Sequence, residues 1–219
     1  MKKILITPRL QQNVEYPEVR EALDIKWGKF LSTCDLMPIS TSIGIEPSQY
    51  FEVFDIEGVL LTGGNDLSRF AANDPLSIQR DEYEKKLLKL AQLNKVPVLG
   101  ICRGMQVICE YSGIPLVPIT GHISKEHEVS FRKNTLLSQF YNPQMRTNSF
   151  HCYGIIEEKI SALPGEWRIA ATAFDGSVEA VENPKLRWVG LMWHPERQEP
   201  FQIQDTQFIR SFFEGAPQP

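Results

Sequence analysis

Val96-Pro97-Val98-Leu99-Gly100-Ile101-Cys102-Arg103-Gly104-Met105-Gln106-Val107-Ile108 passes from a short branched apolar run, read as a buried strand, directly into a helical pattern. The junction reads Gly-x-Cys-x-Gly. Flanking glycines let a backbone turn sharply and leave room around a side chain lifted above a sheet, the layout a nucleophile elbow requires. Cys102 then stands at a helix N-terminus, where the dipole favours the thiolate. The same five residues serve equally well as a tight turn around a buried structural cysteine.

Outward from that junction, Ile4 to Thr7, Val59 to Thr62 and Trp188 to Trp193 repeat the short apolar pattern, each bounded by Gly, Pro or charge. Between them, Glu18 to Leu31 and Arg80 to Leu93 carry apolar residues near helical spacing. This alternation predicts an α/β fold with a largely parallel sheet covered by helices. Lys125 to Ser177 breaks the rhythm with shorter strands, Glu128 to Phe131, Arg168 to Phe174 and, just beyond, Ser177 to Val181, which predict a small antiparallel addition. At 219 residues one domain is expected over 1–214, with 215–219 a frayed tail.

Two further segments bear on chemistry. Trp193-His194-Pro195-Glu196 leaves the last apolar strand, and side chains two apart on a strand point the same way. Glu196 can therefore orient the imidazole of His194, the third-group role in a nucleophile, base and orienter set. Alone, His-Pro-Glu is an ordinary strand-end turn. Thr62-Gly63-Gly64-Asn65 also follows a strand, and amides at such a turn, with the amide of Arg103, can face a developing oxyanion. It lacks the Gly-Lys-Ser/Thr ending of a phosphate loop. Arg9 and Arg69 follow the first strand and the Gly63-Gly64 turn, so both are expected near the same sheet edge, where guanidinium groups suit a phosphorylated ligand.

Composition narrows the class. A net charge of -4 argues against nucleic acid as a partner, and the apolar start before Pro8 is too short for a signal peptide or membrane span, so a cytoplasmic protein is expected. Cys34, Cys102, Cys109 and Cys152 show no C-x-x-C pairing, and the loose cluster His122, Glu126, His127 and Glu128 fits no metal spacing; no metal or cofactor is expected.

As a set, Gly63-Gly64, Gly100 to Gln106 and His194-Pro195-Glu196 resemble the class I glutamine amidotransferase superfamily in order and approximate spacing. The resemblance spans most of the chain. It implies a flavodoxin-like three-layer sandwich in which Cys102 forms a γ-glutamyl thioester, His194 acts as base then acid, and Glu196 orients it. Gly64 and Arg103 match oxyanion positions, while Gly63 and Gln106 match the glutamyl pocket. Asn148-Ser149-Phe150-His151 is similar to the Asn-Ser-x-His motif of the free-standing γ-glutamyl hydrolase branch, whose residues hold the α-amino and α-carboxylate end of the substrate. Tyr153 departs from it, since glutamine is usual there. Taken whole, the chain is similar to a bacterial subgroup acting on γ-glutamyl-CDP-amidate in capsule phosphoramidate synthesis. A small γ-glutamyl compound is thus the expected substrate. A homodimer, a synthetase partner receiving ammonia, and a non-catalytic binding role stay open.

Overall fold

The computed structural model describes residues 1–71, 74–160 and 162–215. Strand β1 (Lys2–Thr7) is followed by an antiparallel hairpin of β2 (Arg9–Gln12) and β3 (Val19–Ala22). Then come α1 (Lys26–Thr33), β4 (Leu36–Ser40), α2 (Pro47–Val53), β5 (Gly58–Leu61), α3 (Pro75–Asn94), β6 (Val98–Ile101) and α4 (Arg103–Tyr111). The second half holds β7 (Val117–Pro118), β8 (Ile123–Phe131), β9 (Gln144–Phe150), β10 (Tyr153–Ile156), β11 (Arg168–Ala173), β12 (Ser177–Asn183) and β13 (Trp188–Leu191), followed by α5 (Ile203–Glu214).

The main sheet runs β4-β1-β5-β6-β13-β12-β11-β8-β9. Its first five strands are parallel, and from β12 onward every pairing is antiparallel. The parallel strands are apolar on both faces because both faces are covered. Ile4, Ile6, Leu60, Leu99, Ile101 and Leu191 pack with Phe30, Leu31, Phe208 and Phe213 of α1 and α5. The alternate residues Leu5, Val59, Leu61 and Val98 pack with Leu87, Leu88, Met105 and Ile108 of α3 and α4. Each such buried aliphatic contributes about 1.5–3 kcal/mol over exposure, so these two layers hold the sheet. The result is the three-layer α/β sandwich.

The helix expected over Glu18 to Leu31 is divided. Val19–Ala22 instead pairs with Arg9–Gln12, and only Lys26–Thr33 is helical. The side chain of Asn65 explains this: it accepts from Leu10 N–H at 3.0 Å and donates to Leu10 C=O at 2.9 Å, fastening the hairpin to the glycine turn. Gly215 caps α5 at φ 75°, where the expected tail begins; 216–219 lie outside the described residues. Among the described residues no helix is long and apolar enough to cross a membrane. The parallel strands deliver Arg9, Gly63, Cys102 and His194 to one edge of the sheet, the carboxyl edge at which open α/β folds bind ligands.

Candidate active site

Strand β6 ends at Ile101 and α4 starts at Arg103, so Cys102 alone makes the turn, at φ 52° and ψ -104°. A non-glycine residue held there costs of order 1–3 kcal/mol, and its surroundings must hold it. They do: Cys102 N–H donates to Leu191 C=O at 2.7 Å, and Cys102 C=O accepts from Gln106 N–H at 3.2 Å. The flanking glycines are needed for space. A Cβ on Gly100 would stand 2.5 Å from the Gly104 carbonyl, and one on Gly104 would stand 2.2 Å from Leu61 O.

His194 emerges just beyond β13, and Pro195–Arg197 turns in a short 3-10 segment. Its Nδ1 lies 2.8 Å from Glu196 Oε1, so Nδ1–H donates to the carboxylate and Nε2 is left for chemistry. A Cβ on Gly63 would lie 2.7 Å from His194 Cε1 and 3.6 Å from Cys102 Cβ; imidazole and thiol therefore flank one glycine. Burial works against the imidazolium here. Charge on the Cys102 sulfur, a hydrogen bond to it, and Glu196 outweigh burial and push His194 up to about 9. Because this exceeds the ordinary 6.5, protonated His194 stabilises the fold fully below pH 6.5, and that contribution is lost as pH rises through about 9. Removing the sulfur leaves only Glu196 against burial. Histidine Cε1–H NMR titrations should therefore show His194 of Cys102→Ala titrating at lower pH than in the wild type; an unchanged midpoint would disprove the coupling.

Opposite the elbow, Gly64 has φ 85°, and Arg103 occupies the first position of α4, where its N–H has no intrahelical acceptor. Gly64, Cys102, Arg103, Gln106, Phe150 and His151 line one cavity of about 250 Å³. Gln106 Nε2 donates to Tyr153 C=O at 2.9 Å, while the Tyr153 ring stacks on Phe70 with centroids 3.8 Å apart.

Asn148 and Ser149, expected at the α-amino and α-carboxylate end of the substrate, already make hydrogen bonds within the protein. Asn148 spends both ends of its amide on the His194 backbone, accepting from His194 N–H and donating to His194 C=O, each at 2.8 Å. Ser149 Oγ is likewise committed, donating to His122 C=O at 2.8 Å. Both side chains are buried. Phe150 remains exposed enough to meet a ligand, and its ring lies edge-on to His194.

A second cleft, of about 450 Å³, opens on the other side of Gly64 and His194 and is lined also by Arg9, Trp27, Thr62 and Arg197. The Arg9 stem packs over Gly64, since a Cβ there would be 2.6 Å from Arg9 Cδ. Arg69 does not join it. Ser68 N–H donates to Asp81 at 2.8 Å, and this turn carries the Arg69 guanidinium over the Phe70 ring, 4.8 Å from its centroid. Arg197 lines the cleft beside Arg9: its guanidinium stands 4.7 Å from the Phe150 centroid, and its Nε 3.5 Å from Glu196 Oε1.

Residues 12–196 match the Peptidase C26 family. The chain belongs to the peptidase C26 family. Over 212 residues it is 37% identical to a gamma-glutamyl-CDP-amidate hydrolase of Campylobacter jejuni, covering 95% of this chain and 96% of that one. To a glutamine-hydrolyzing GMP synthase component of Methanococcus maripaludis it is 21% identical over 190 residues, covering 86% of this chain and 80% of that one. Among solved structures, the glutaminase domain of Trypanosoma brucei CTPS with bound acivicin superimposes with a TM-score of 0.71 at 14% identity, covering 100% of this chain and 96% of that one. The fold is thus that of the glutamine amidotransferases, and this peptidase C26 protein is an enzyme.

One polar cluster of the peptidase C26 chain gathers residues that sequence spacing did not group. His122 Nδ1 lies 3.1 Å from His151 Nε2 and 3.3 Å from Glu179 Oε1, while His122 Nε2 meets Asp175 at 2.8 Å. Glu179 is far in sequence from the histidines it joins, and its carboxylate is held well below the ordinary range because these histidines outweigh the cost of burial. His122, His151 and Glu179 converge closely enough to hold a divalent ion; here they hydrogen-bond to one another and tie the 148–152 segment to β12.

Proposed function

We propose that the chain is a thiol-dependent hydrolase that cleaves a γ-glutamyl amide through a thioester on Cys102. The observation that carries this reading is the buried set in which His194 contacts Glu196 on one side and flanks the Cys102 side chain, across Gly63, on the other. The Cys102 sulfur adds to the γ-carbonyl carbon, and the electron pair moves to oxygen, where the Gly64 and Arg103 amides receive it. One such donor is worth roughly 3–4 kcal/mol of transition-state stabilisation. The oxyanion collapses, the C–N bond breaks, and the His194 imidazolium gives its proton to the departing nitrogen. Water then loses a proton to His194 as its oxygen adds to the thioester carbon; the C–S bond breaks, releasing glutamate and the thiolate. The raised His194 value suits this order, since an imidazolium must be ready before the leaving group departs.

The leaving group proposed is a nucleotide amidate, best γ-glutamyl-CDP-amidate, which would place the reaction in capsule phosphoramidate synthesis. Support comes from the C. jejuni relative's name and from the cleft beside His194, where Arg9 and Arg197 offer guanidinium groups to phosphate. Phe150 and His151 line the glutamyl side, beside Cys102. Purified protein should be assayed on γ-glutamyl-CDP-amidate, other γ-glutamyl amides and L-glutamine. The expected result is a kcat/KM for the nucleotide amidate at least ~100-fold above that for glutamine, the gap left when a site built for charged contacts meets a ligand lacking them. Glutamine hydrolysis appearing only with an added synthetase would instead favour an ammonia-delivering role, the second reading that the GMP synthase relative supports.

A further inference from the structure

Arg80 sits in α3 against the 62–65 turn and is 1% exposed. Its Nη2 donates to Thr62 C=O at 2.9 Å, and its Nη1 donates to Gly63 C=O at 3.1 Å and Gly64 C=O at 2.7 Å. Nη1 also reaches Asn65 Oδ1 at 3.2 Å, and Nε donates to Glu84 Oε1 at 3.0 Å. Three consecutive carbonyls thus converge on one guanidinium. In a planar trans peptide the N–H of the next residue points opposite to the C=O. The N–H groups of Gly63, Gly64 and Asn65 are therefore all turned away from Arg80, forming the kind of amide nest that receives negative charge. Gly64 lines the Cys102 cavity, so its amide direction is set from behind by a residue that lines neither that cavity nor the Arg9 cleft.

The same ion network reaches the elbow. The second Glu84 oxygen pairs with Arg103, whose other guanidinium nitrogen pairs with Asp81, and Thr7 Oγ1 donates to Glu84 Oε1 at 2.8 Å. Both backbone positions proposed as oxyanion donors are thus tied to one buried cluster on α3. Lysine could not replace the arginine here, because an ammonium is a single point charge that cannot span three carbonyls and a carboxylate at once. Such a buried cluster costs desolvation and is weak as a device for stability alone, which leaves geometry as its use.

We infer that Arg80 is a positioning residue that aims the Gly64 N–H at the developing oxyanion by holding the carbonyls of Thr62, Gly63 and Gly64; this rests on the thioester reading above. The test compares wild type with Arg80→Lys on three readouts: hydrolysis kinetics, the rate at which iodoacetamide alkylates Cys102, and a crystal structure. Alkylation needs the thiolate but builds no oxyanion. The expected result is a kcat about 100-fold lower, with KM and the alkylation rate within about threefold of wild type, the signature of a lost transition-state donor. In the crystal the 63–64 peptide should have rotated. A kcat within about threefold of wild type, a parallel fall in alkylation, or an unmoved 63–64 peptide would each overturn the inference. If Arg80→Lys does not fold, the charge-compensated pair Arg80→Met with Glu84→Gln must give the same split. Failure of wild type to cleave any γ-glutamyl amide would count against the reaction, and the position of the 63–64 peptide would then decide on Arg80.

Discussion

Cys102→Ala is expected to lower kcat for γ-glutamyl amide hydrolysis by about 10⁵-fold or more while leaving the protein folded, with a loss of unfolding free energy no larger than the roughly 3 kcal/mol that the His194 shift represents. The activity loss follows because no other thiol can substitute. Cys109 is buried with its thiol held protonated by desolvation, Cys34 is pushed up to about 12 for the same reason, and Cys152, which lines the Cys102 cavity, is raised by burial and by the charges of Asp66 and Cys102 and has no strand-to-helix elbow around it. The fold is kept because alanine retains the Cβ, and the backbone at φ 52° is held by Leu191 and Gln106 through main-chain atoms the substitution leaves in place. What is lost is the attraction between sulfur and the His194 imidazolium. Urea denaturation at pH 7 and steady-state kinetics measure the two effects separately. Cys102→Ser should behave alike in fold and nearly alike in rate, since a hydroxyl beside this imidazole is a far poorer anion than a thiol. Residual hydrolysis near the wild-type rate in either variant would remove Cys102 from the mechanism.

The parts that sequence made legible are those whose signal is local. Gly100-Ile101-Cys102-Arg103-Gly104 reads as a strand-to-helix elbow because crowding at Gly104 by Leu61 O leaves no room for a side chain, and the two glycines register that constraint directly. The four parallel strands quoted from sequence are apolar runs because both faces are covered, and His194 and Glu196 meet because they are two residues apart on one strand exit. What was not legible depends on partners distant in the chain. Val19–Ala22 has enough apolar spacing to pass for a helix, and only its pairing with Arg9–Gln12, stapled by Asn65, makes it a strand. The two hydrogen bonds that Asn148 makes to the His194 backbone, 46 residues away, have no local signal in the sequence. On α3, Arg80, Asp81 and Glu84 occupy the buried face alongside Leu87 and Leu88, so the charges that hold the glycine turn look, in sequence, like an exposed stripe. Arg197 had a weak local signal, following His194-Pro195-Glu196 immediately, but nothing in spacing aims it across Phe150.

His194→Ala is expected to be as severe as loss of the thiol, about 10⁵-fold in kcat or more, and Glu196→Gln roughly 100-fold less so. The difference follows from what each group does. Without the imidazole the departing nitrogen has no proton donor and the attacking water no base, and the Cys102 sulfur loses its counter-charge across Gly63. Without the Glu196 charge the imidazole remains, still accepted at Nδ1 by the glutamine carbonyl and still held at its backbone by Asn148. The carboxylate is one of the causes that raise His194 to about 9. Removing its charge should therefore shift the alkaline limb of the kcat/KM profile to lower pH, because the proton-donating imidazolium is lost as pH rises through the His194 value. In His194→Ala that limb has no group to report and should vanish from whatever residual rate remains. Profiles of wild type, Glu196→Gln and His194→Ala across the alkaline range would separate these cases. An alkaline limb in Glu196→Gln that coincides with that of the wild type would mean the carboxylate orients the ring without tuning its proton, and the charge on the Cys102 sulfur would then be the dominant reason that His194 stays protonated.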